Sequence, residues 1–218
     1  MNKRLVCGVG INDADYKLTK RVKVNGKWKI TWRCPYYTKW VNMLIRCYGT
    51  DYQELHNTYL DCCVCSEWLY FSNFKGWMEN RVWEGRSLDK DFLSGDVKIY
   101  SPETCIFIPS YINVFTIVNG ASRGEYPLGV SYVKDSRMVN ELKRPFKSQI
   151  KEYKGSFVSL GYYKTPQEAH KAYLEAKLEK CESYLIEFRD DTDIKKGLSR
   201  IREKLKYHIE NNLELTSF

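Results

Sequence analysis

The stretch Leu88–Asn113, LDKDFLSGDVKIYSPETCIFIPSYIN, decides the fold of the first half of this chain. It opens with two acids around a lysine, Asp89-Lys90-Asp91, and Gly95-Asp96 then marks a turn. After a second turn, the apolar run Cys105–Ile108 leads into a segment that carries Asn113. This order predicts an acid-bearing strand, a loop, a second strand and a helix that presents an amide.

The composition indicates a folded protein with an anionic partner. The chain has 218 residues, of which 43% are hydrophobic, and it contains 17 Tyr and 6 Trp. That is enough for one large domain or two small ones with packed cores. The net charge of +8 favours nucleic acid as the partner. A merely basic soluble surface is the alternative on charge alone.

The sequence predicts a protein of a reducing compartment, with no membrane partner. No apolar run approaches the roughly 20 residues that span a bilayer. Residues 1–13 lack the apolar core of a signal peptide. We therefore expect a cytoplasmic protein without disulfides among its eight cysteines. Cys62 and Cys65 could form half a zinc site, but no second pair follows at zinc-site spacing, which argues against zinc.

Local signals predict several elements before Leu88. Asn25-Gly26 lies between alternating residues and predicts a hairpin. Thr38–Cys47 has apolar residues at helical spacing and predicts a helix with one buried face. Residues 48–61 are polar and turn-like. Ser66 is placed as the N-cap of a helix through Met78.

The pattern changes after residues 116–125, a loop-like segment with two glycines where we place a domain boundary. Three alternating strands follow, around residues 128–133, 146–153 and 157–162, and they predict an antiparallel meander. Thr165-Pro-Gln-Glu168 is a capping box that starts a helix on the sheet's apolar face. Residues 182–218 are predicted to be partly helical and packed on the body, with a dimerising or DNA-backbone helix as the alternative.

Four segments of this second half resemble the Apetala-type (ethylene-response-factor) DNA-binding domain. They are LGV at 128–130, FKSQIK at 146–151, LGYY at 160–163 and TPQEAHKAY at 165–173. The resemblance covers about a quarter of the chain. It implies a three-stranded sheet that lies in the DNA major groove and is backed by one helix.

The resemblance implies DNA contacts on one face of the sheet. The base-facing positions carried over are Ser131, Val133, Gln149, Lys151, Phe157 and Ser159. Gln149 can pair with adenine and Lys151 can donate to guanine. Lys147 and Lys154 are expected at phosphates, which position the protein without specifying sequence. The plant domains carry arginines and tryptophans at several of these positions, so their target sequence does not transfer. A solvated strand face is the alternative.

The first half resembles phage-encoded HNH homing endonucleases, which often carry an Apetala-type domain. The similar segments are YTKWVNMLIRC at 37–47, CSEWLYFSNF at 65–74, LDKD at 88–91 and YSPETC at 100–105. The resemblance implies a ββα module that holds one divalent ion, Mg²⁺ or Mn²⁺, through Asp89 and Asn113. Asp89, Lys90, Asp91 and Asn113 are the candidate catalytic residues.

Lys90 departs from the HNH pattern because it stands where the family has its base, a histidine. A lysine is protonated at neutral pH and cannot accept a proton from water, and two neighbouring carboxylates favour the charged form further. Lys90 could instead hold a phosphate or the leaving oxygen. Of the three histidines, His56 is a possible base, while His170 and His208 are expected at surface positions of helices.

These observations together predict an α+β protein with three parts. Residues 1–118 form the HNH-like module, 126–180 the Apetala-type domain and 181–218 a helical tail. The expected function is sequence-directed binding of double-stranded DNA with metal-dependent endonuclease activity of phage or mobile-element type, in the host cytoplasm if phage-encoded. The alternative is a catalytically degenerate DNA-binding regulator of transcription or replication.

Overall fold

The chain is mixed α+β, as predicted, and it divides into two compact units, Met1–Ile108 and Pro109–Phe218. A computed structural model describes residues 5–117, 125–133, 143–153 and 155–218. These residues contain six α-helices and several small sheets. The boundary between the units falls before residues 116–125, the predicted domain boundary.

A two-stranded antiparallel hairpin precedes the helices of the first unit. It consists of β1 (Thr19–Val24) and β2 (Lys27–Arg33), with Val24 opposite Lys27. Asn25 and Gly26 both have positive φ, 49° and 80°. Two residues with positive φ form the tight turn that matches the twist of the strands. The predicted hairpin is therefore confirmed.

The core of the first unit is built on α1 (Pro35–Tyr48), which contains the predicted helix. Its apolar stripe is buried as the spacing predicts: Trp40, Met43, Leu44 and Cys47. The segment after α1 is more ordered than the predicted turns. It forms α2 (Thr50–Leu55) and a short 3₁₀-helix, Asn57–Tyr59.

The single helix predicted from Ser66 to Met78 is wrong, because Tyr70 interrupts it. Ser66–Leu69 is a 3₁₀-helix, and α3 (Phe71–Glu79) starts after Tyr70, whose backbone is extended. The interruption has a partner in the N-terminal segment. The Ile11 N–H donates to the Leu69 carbonyl, and the Ile11 carbonyl accepts from the Phe71 N–H.

The remaining strands of the first unit are short pairs. β3 (Cys63–Val64) pairs in parallel with β5 (Ile99–Tyr100), and β4 (Arg86–Asp89) pairs with β6 (Ile106–Pro109). Next in the chain comes α4 (Ser110–Thr116), which belongs to the second unit. The elements follow the predicted order along the chain, but this order alone does not identify a ββα nuclease module, which stays a prediction.

The second unit contains the predicted three-stranded meander. Its strands are β7 (Val130–Tyr132), β8 (Phe146–Lys151) and β9 (Phe157–Tyr163), each antiparallel to its neighbour. Much of the predicted charged loop between β7 and β8, residues 134–142, lies outside the described residues.

One long helix, α5 (Pro166–Glu187), packs on all three strands of the meander. The predicted capping box is confirmed at its start: Thr165 Oγ1 accepts from the Glu168 N–H, and Glu168 reaches back to the Thr165 N–H. The contact with the sheet is close at Gly129, where a side-chain carbon would lie 2.1 Å from Tyr173 Cδ2.

The last helix, α6 (Thr192–Glu210), packs against α5 as the tail prediction requires. Three residues of its predicted apolar stripe are fully buried, Leu198, Ile201 and Leu205, and the fourth, Ile209, is partly buried. The expected surface position of His170 is wrong. Its side chain is 5% exposed and joins the Leu128 carbonyl at 2.9 Å to the Leu215 N–H at 3.1 Å. Nδ1 of His208 is also buried.

Two further properties of the described residues are the length of their helices and the reactivity of their thiols. No described helix has the length and apolar character needed to cross a membrane. The eight cysteines are all described as free thiols. Burial raises the pKa of Cys47 and of Cys105 to about 12, so both stay protonated at neutral pH.

Candidate nucleic-acid interface

The strand register of the second unit brings a set of polar side chains to one face of the sheet. Residues directly opposite each other in neighbouring strands share a face. Three rows result: Ser131, Lys147 and Tyr162 in the first, Gln149 and Ser159 in the second, and Lys151 and Phe157 in the third. We call these seven residues the reading face.

The opposite face of the same sheet is covered by α5. Ser148 and Ile150, which alternate with the reading-face residues of β8, are 0% and 5% exposed. On the reading face, Lys151 and Ser159 are exposed and Phe157 is 60% exposed. The sheet therefore has one face in the core and one face open to a partner, as an antiparallel sheet allows.

Five of the six predicted DNA-binding residues lie together on the reading face: Ser131, Lys147, Gln149, Lys151 and Ser159. The sixth, Lys154, lies outside the described residues. Val133 follows the end of β7, and its N–H donates to the Pro145 carbonyl.

Sequence reasoning missed Tyr162 because simple alternation fails in β9. The register shifts where Gln149 pairs with Ser159 while Ser148 pairs with Gly161, which leaves Leu160 as the extra residue of a bulge. The bulge moves Tyr162 to the side of Lys147. Gly161 was the available signal, because an isolated glycine in a strand pattern suggests a bulge, and its φ is +124°.

The reading face offers the chemistry that nucleic acids require. It carries two ammonium groups, an amide, two hydroxyls, a phenol and one apolar ring, and no carboxylate. Lys151 Nζ lies 6.0 Å above the ring of Phe157, so the cation and the ring form one exposed surface. Ammonium groups can bind phosphate or guanine, and the amide of Gln149 can read adenine.

The second candidate site, in the first unit, has an acidic residue in a turn. Asp89 ends β4, and its Oδ1 accepts hydrogen bonds from the N–H groups of Asp91 and Phe92 at 2.9 and 2.8 Å. An aspartate that binds the backbone two and three residues ahead stabilises a turn. At least one oxygen of Asp89 therefore has a structural role.

Lys90 is buried beside this turn and is paired with a carboxylate. Its side chain is 5% exposed, its ammonium forms an ion pair with Asp91, and it lies 6.0 Å from the ring centre of Tyr100. Burial raises the pKa of Asp91, the Lys90 ammonium lowers it, and the carboxylates of Asp89 and Asp96 raise it. The half-exposed Asp91 carboxylate thus compensates the charge of the buried Lys90 ammonium.

The predicted metal site would take its ligands from both units. Within the described ranges, no group of three or more His, Cys, Asp or Glu side chains could hold a metal ion. The two predicted ligands, Asp89 and Asn113, belong to the first and the second unit respectively. The residues fit a divalent ion only in part, because Asp89 Oδ1 already binds two N–H groups and Asp91 is paired with Lys90. The magnesium or manganese site stays a prediction.

His56, the possible base, is exposed between α2 and the 3₁₀-helix that follows. Its ring centre lies 4.4 Å from that of Tyr52. The two rings are tilted by 39° and in contact, and a catalytic role of His56 stays a prediction.

Comparisons of the chain with protein-family models, curated proteins and solved structures found no match. The resemblances to the Apetala-type domain and to the HNH homing endonucleases therefore stay predictions. What supports a function is the arrangement of the residues themselves.

Proposed function

We propose that this protein binds double-stranded DNA and that the reading face is its recognition surface. The observation that supports this is the strand register, which brings Lys147, Gln149 and Lys151 to one open face without a carboxylate among them. A face that served only solubility would not need the amide and the ring beside the two cations.

The dimensions of the sheet agree with this proposal. Neighbouring strands lie about 4.8 Å apart, so the outer two strands of the meander are separated by about 10 Å. The major groove of B-DNA is about 12 Å wide. In the proposed complex, Gln149 and Lys151 contact base edges, and Lys147 contacts a phosphate.

The test separates base contacts from phosphate contacts. A preferred site is first selected from random duplexes, and binding is then measured by fluorescence anisotropy at several salt concentrations. We expect Lys151→Ala to reduce the preference for that site over a scrambled duplex by ten-fold or more, since a good base contact contributes roughly 1–3 kcal/mol. We expect Lys147→Ala to weaken binding to both duplexes equally.

Lys195→Ala is the matched control, because Lys195 is an exposed lysine on α6 and lies off the sheet. The recognition surface is refuted if Lys147→Ala and Lys151→Ala both bind like this control. It is also refuted if Lys151→Ala leaves the sequence preference unchanged.

We propose metal-dependent cleavage of the bound DNA as a second activity. The observation that favours it is the concentration of acids around Asp91: burial raises its pKa, the Lys90 ammonium lowers it, and the carboxylates of Asp89 and Asp96 raise it to a smaller extent. Carboxylates that repel one another are stabilised by a divalent cation, and Mg²⁺ prefers oxygen ligands. A bound metal would stabilise the charge that develops on the phosphate.

Cleavage is tested on supercoiled plasmid that carries the selected site, with Mg²⁺, with Mn²⁺ and with EDTA. We expect nicked or linear product only with metal, and we expect Asp89→Asn to remove it without weakening DNA binding. Binding without any cleavage would instead favour the regulator, in agreement with the pairing of Lys90 to Asp91. Cleavage that survives Asp89→Asn would exclude this site as its source.

A further inference from the structure

The β1–β2 hairpin of the first unit, residues 19–33, is exposed on both faces. Every strand residue except Thr19 is exposed, including Trp28 at 69% and Trp32 at 40%. Isolated two-stranded hairpins are marginally stable in water, and they usually gain stability by packing. Large apolar side chains on both faces of such a ribbon indicate a surface that meets a partner.

The charge of the hairpin selects the kind of partner. Residues 19–33 contain six cations and no acid: Lys20, Arg21, Lys23, Lys27, Lys29 and Arg33. The whole chain has a net charge of +8, so the hairpin supplies +6 and all other residues together only +2. The basic character of the protein is therefore concentrated in this hairpin, which argues against a generally basic surface.

Cations and apolar side chains alternate on both faces of the hairpin. On one face, Val22 lies opposite Lys29 and Val24 opposite Lys27. The other face pairs Lys23 with Trp28 and Arg21 with Ile30. A partner must therefore accept cations together with apolar contacts on either side of the ribbon. The two walls and the floor of a DNA groove, with phosphates above and base edges below, provide this combination.

A cavity at the base of the hairpin adds a site suited to phosphate. It has a volume of about 360 Å³ and lies between the hairpin and α1. Its lining includes five polar side chains, which are Thr19, Arg21, Arg33, Thr38 and Asn42. Arginine, threonine and asparagine are among the side chains that bind DNA phosphates, and arginine does so with two parallel donors.

We propose that the β1–β2 hairpin is a second DNA-binding element, a ribbon that lies in the groove of a duplex. A two-stranded ribbon fits the major groove, which is about 12 Å wide. Lys27 and Lys29 contact phosphates, Trp28 contacts the groove, and Arg21 and Arg33 hold a phosphate at the base. This element belongs to the first unit and does not require the reading face of the second.

The first experiment compares two double variants of the full chain on a duplex of about 30 base pairs. Lys27→Gln/Lys29→Gln removes two cations from the hairpin, and Lys195→Gln/Lys196→Gln removes two exposed cations from α6. Each lost phosphate contact lowers the slope of log K against log salt by about 0.9. We expect the hairpin variant to lower this slope by close to 2 and the α6 variant to leave it unchanged. Lys27→Arg/Lys29→Arg should restore it.

The second experiment uses Trp28 as a local probe. Of the six tryptophans, Trp40 and Trp68 are buried and Trp28 is the most exposed. We expect duplex DNA to protect the Trp28 fluorescence from acrylamide quenching, and Trp28→Phe to remove most of that protection. Circular dichroism would verify that each variant remains folded.

The proposal is overturned if the hairpin variant keeps the salt slope of the α6 variant, or if DNA leaves Trp28 unprotected. Two other partners are measured in parallel, vesicles with anionic lipid and a second copy of the chain by sedimentation. The proposal is also refuted if the hairpin is required for vesicle binding or for self-association but not for binding to duplex DNA. The reading-face variants separate the two proposals. If the reading face is misassigned but the hairpin binds DNA, Lys147→Ala and Lys151→Ala should still show protection of Trp28 from acrylamide by DNA.

Discussion

Replacing Lys177 with methionine should stabilise the second unit at neutral and acidic pH. Lys177 is 6% exposed in α5, donates to the Phe115 carbonyl at 2.5 Å and lies among the rings of Phe115, Tyr173 and Phe218. Burial, with a smaller contribution from the nearby Lys180 ammonium, lowers the pKa of this lysine from 10.5 to about 7. Methionine keeps an unbranched, flexible side chain that is one heavy atom shorter, and it removes the buried charge.

The magnitude follows from the fall in this pKa. At about 1.4 kcal/mol for each pH unit, a fall from 10.5 to about 7 corresponds to roughly 5 kcal/mol. Below pH 7 the lysine is charged in both states, so the folded protein carries the full cost of burying the charge. Between pH 7 and 10.5 the unfolded chain binds a proton that the folded chain does not, and the free energy of unfolding therefore rises with pH.

The advantage of Lys177→Met should therefore be largest below pH 7 and shrink as the pH rises to 10. The hydrogen bond to the Phe115 carbonyl and the three rings stabilise the ammonium. The gain in the free energy of unfolding should therefore be smaller than the full 5 kcal/mol, on the order of a few kcal/mol. Lys171→Met is the control, since Lys171 is an exposed lysine of the same helix.

The assay is urea unfolding at pH 6, 8 and 10 with two probes. All six tryptophans lie between residues 28 and 83, so their fluorescence reports the first unit alone. The far-ultraviolet helix signal then reports the second unit after the tryptophan transition is subtracted. The reasoning is refuted if the stability difference between Lys177→Met and wild type is the same at pH 6 and pH 10. It is also refuted if the variant is less stable than wild type at pH 6.

Three further predictions concern single contacts. Thr165→Ala should lower the stability of the second unit by about 0.5–2 kcal/mol through loss of the capping box, and a thermal melt that matches wild type would contradict this. Gly129→Ala should cost roughly 1–3 kcal/mol in urea unfolding, because φ is +78° and the added carbon would overlap Tyr173; an unchanged midpoint would show that the close contact is absent. Lys90→Met should raise the pKa of Asp91 further in a carboxyl NMR titration, since the ammonium lowers it, and an unchanged pKa would exclude the ion pair.

Patterns that depend on neighbouring residues could be predicted from the sequence. The Asn25-Gly26 turn and the Thr165 capping box were predicted because both are fixed by local backbone chemistry. The buried stripe of α1 was predicted because helical spacing alone determines which side chains share a face.

The errors came from contacts that are distant in sequence. Tyr70 leaves the helix because Ile11, about sixty residues earlier, binds the backbone on both sides of it. His170 is buried because the Leu128 carbonyl and the Leu215 N–H meet at its ring, and neither can be foreseen from the residues around position 170. Tyr162 was missed because a bulge is a property of a strand pair rather than of one strand.

The same distinction applies to the candidate sites. The polar positions of the reading face could be predicted because strand alternation is local, apart from the shift at the bulge. The metal site stays a prediction, because it needs Asp89 and Asn113 to converge from separate elements. The contacts of Asp89 with two backbone N–H groups and of Lys90 with Asp91 depend on the conformation of the turn, which the residue types alone do not determine. The hairpin was not predicted as a binding surface, because that proposal depends on the exposure of both its faces, and exposure cannot be predicted from the local sequence pattern.

Two DNA-binding surfaces on separate units, as proposed, would have a consequence that one surface would not. A duplex bound by one surface would be presented to the other at a high effective concentration, so the two contacts would reinforce each other. The reading face has the amide and ammonium groups that distinguish bases, whereas the hairpin has six cations and would supply most of the salt-dependent affinity. Specificity and affinity would then reside in different units. In this proposal, the hairpin provides the attraction that a reading face with only two cations lacks.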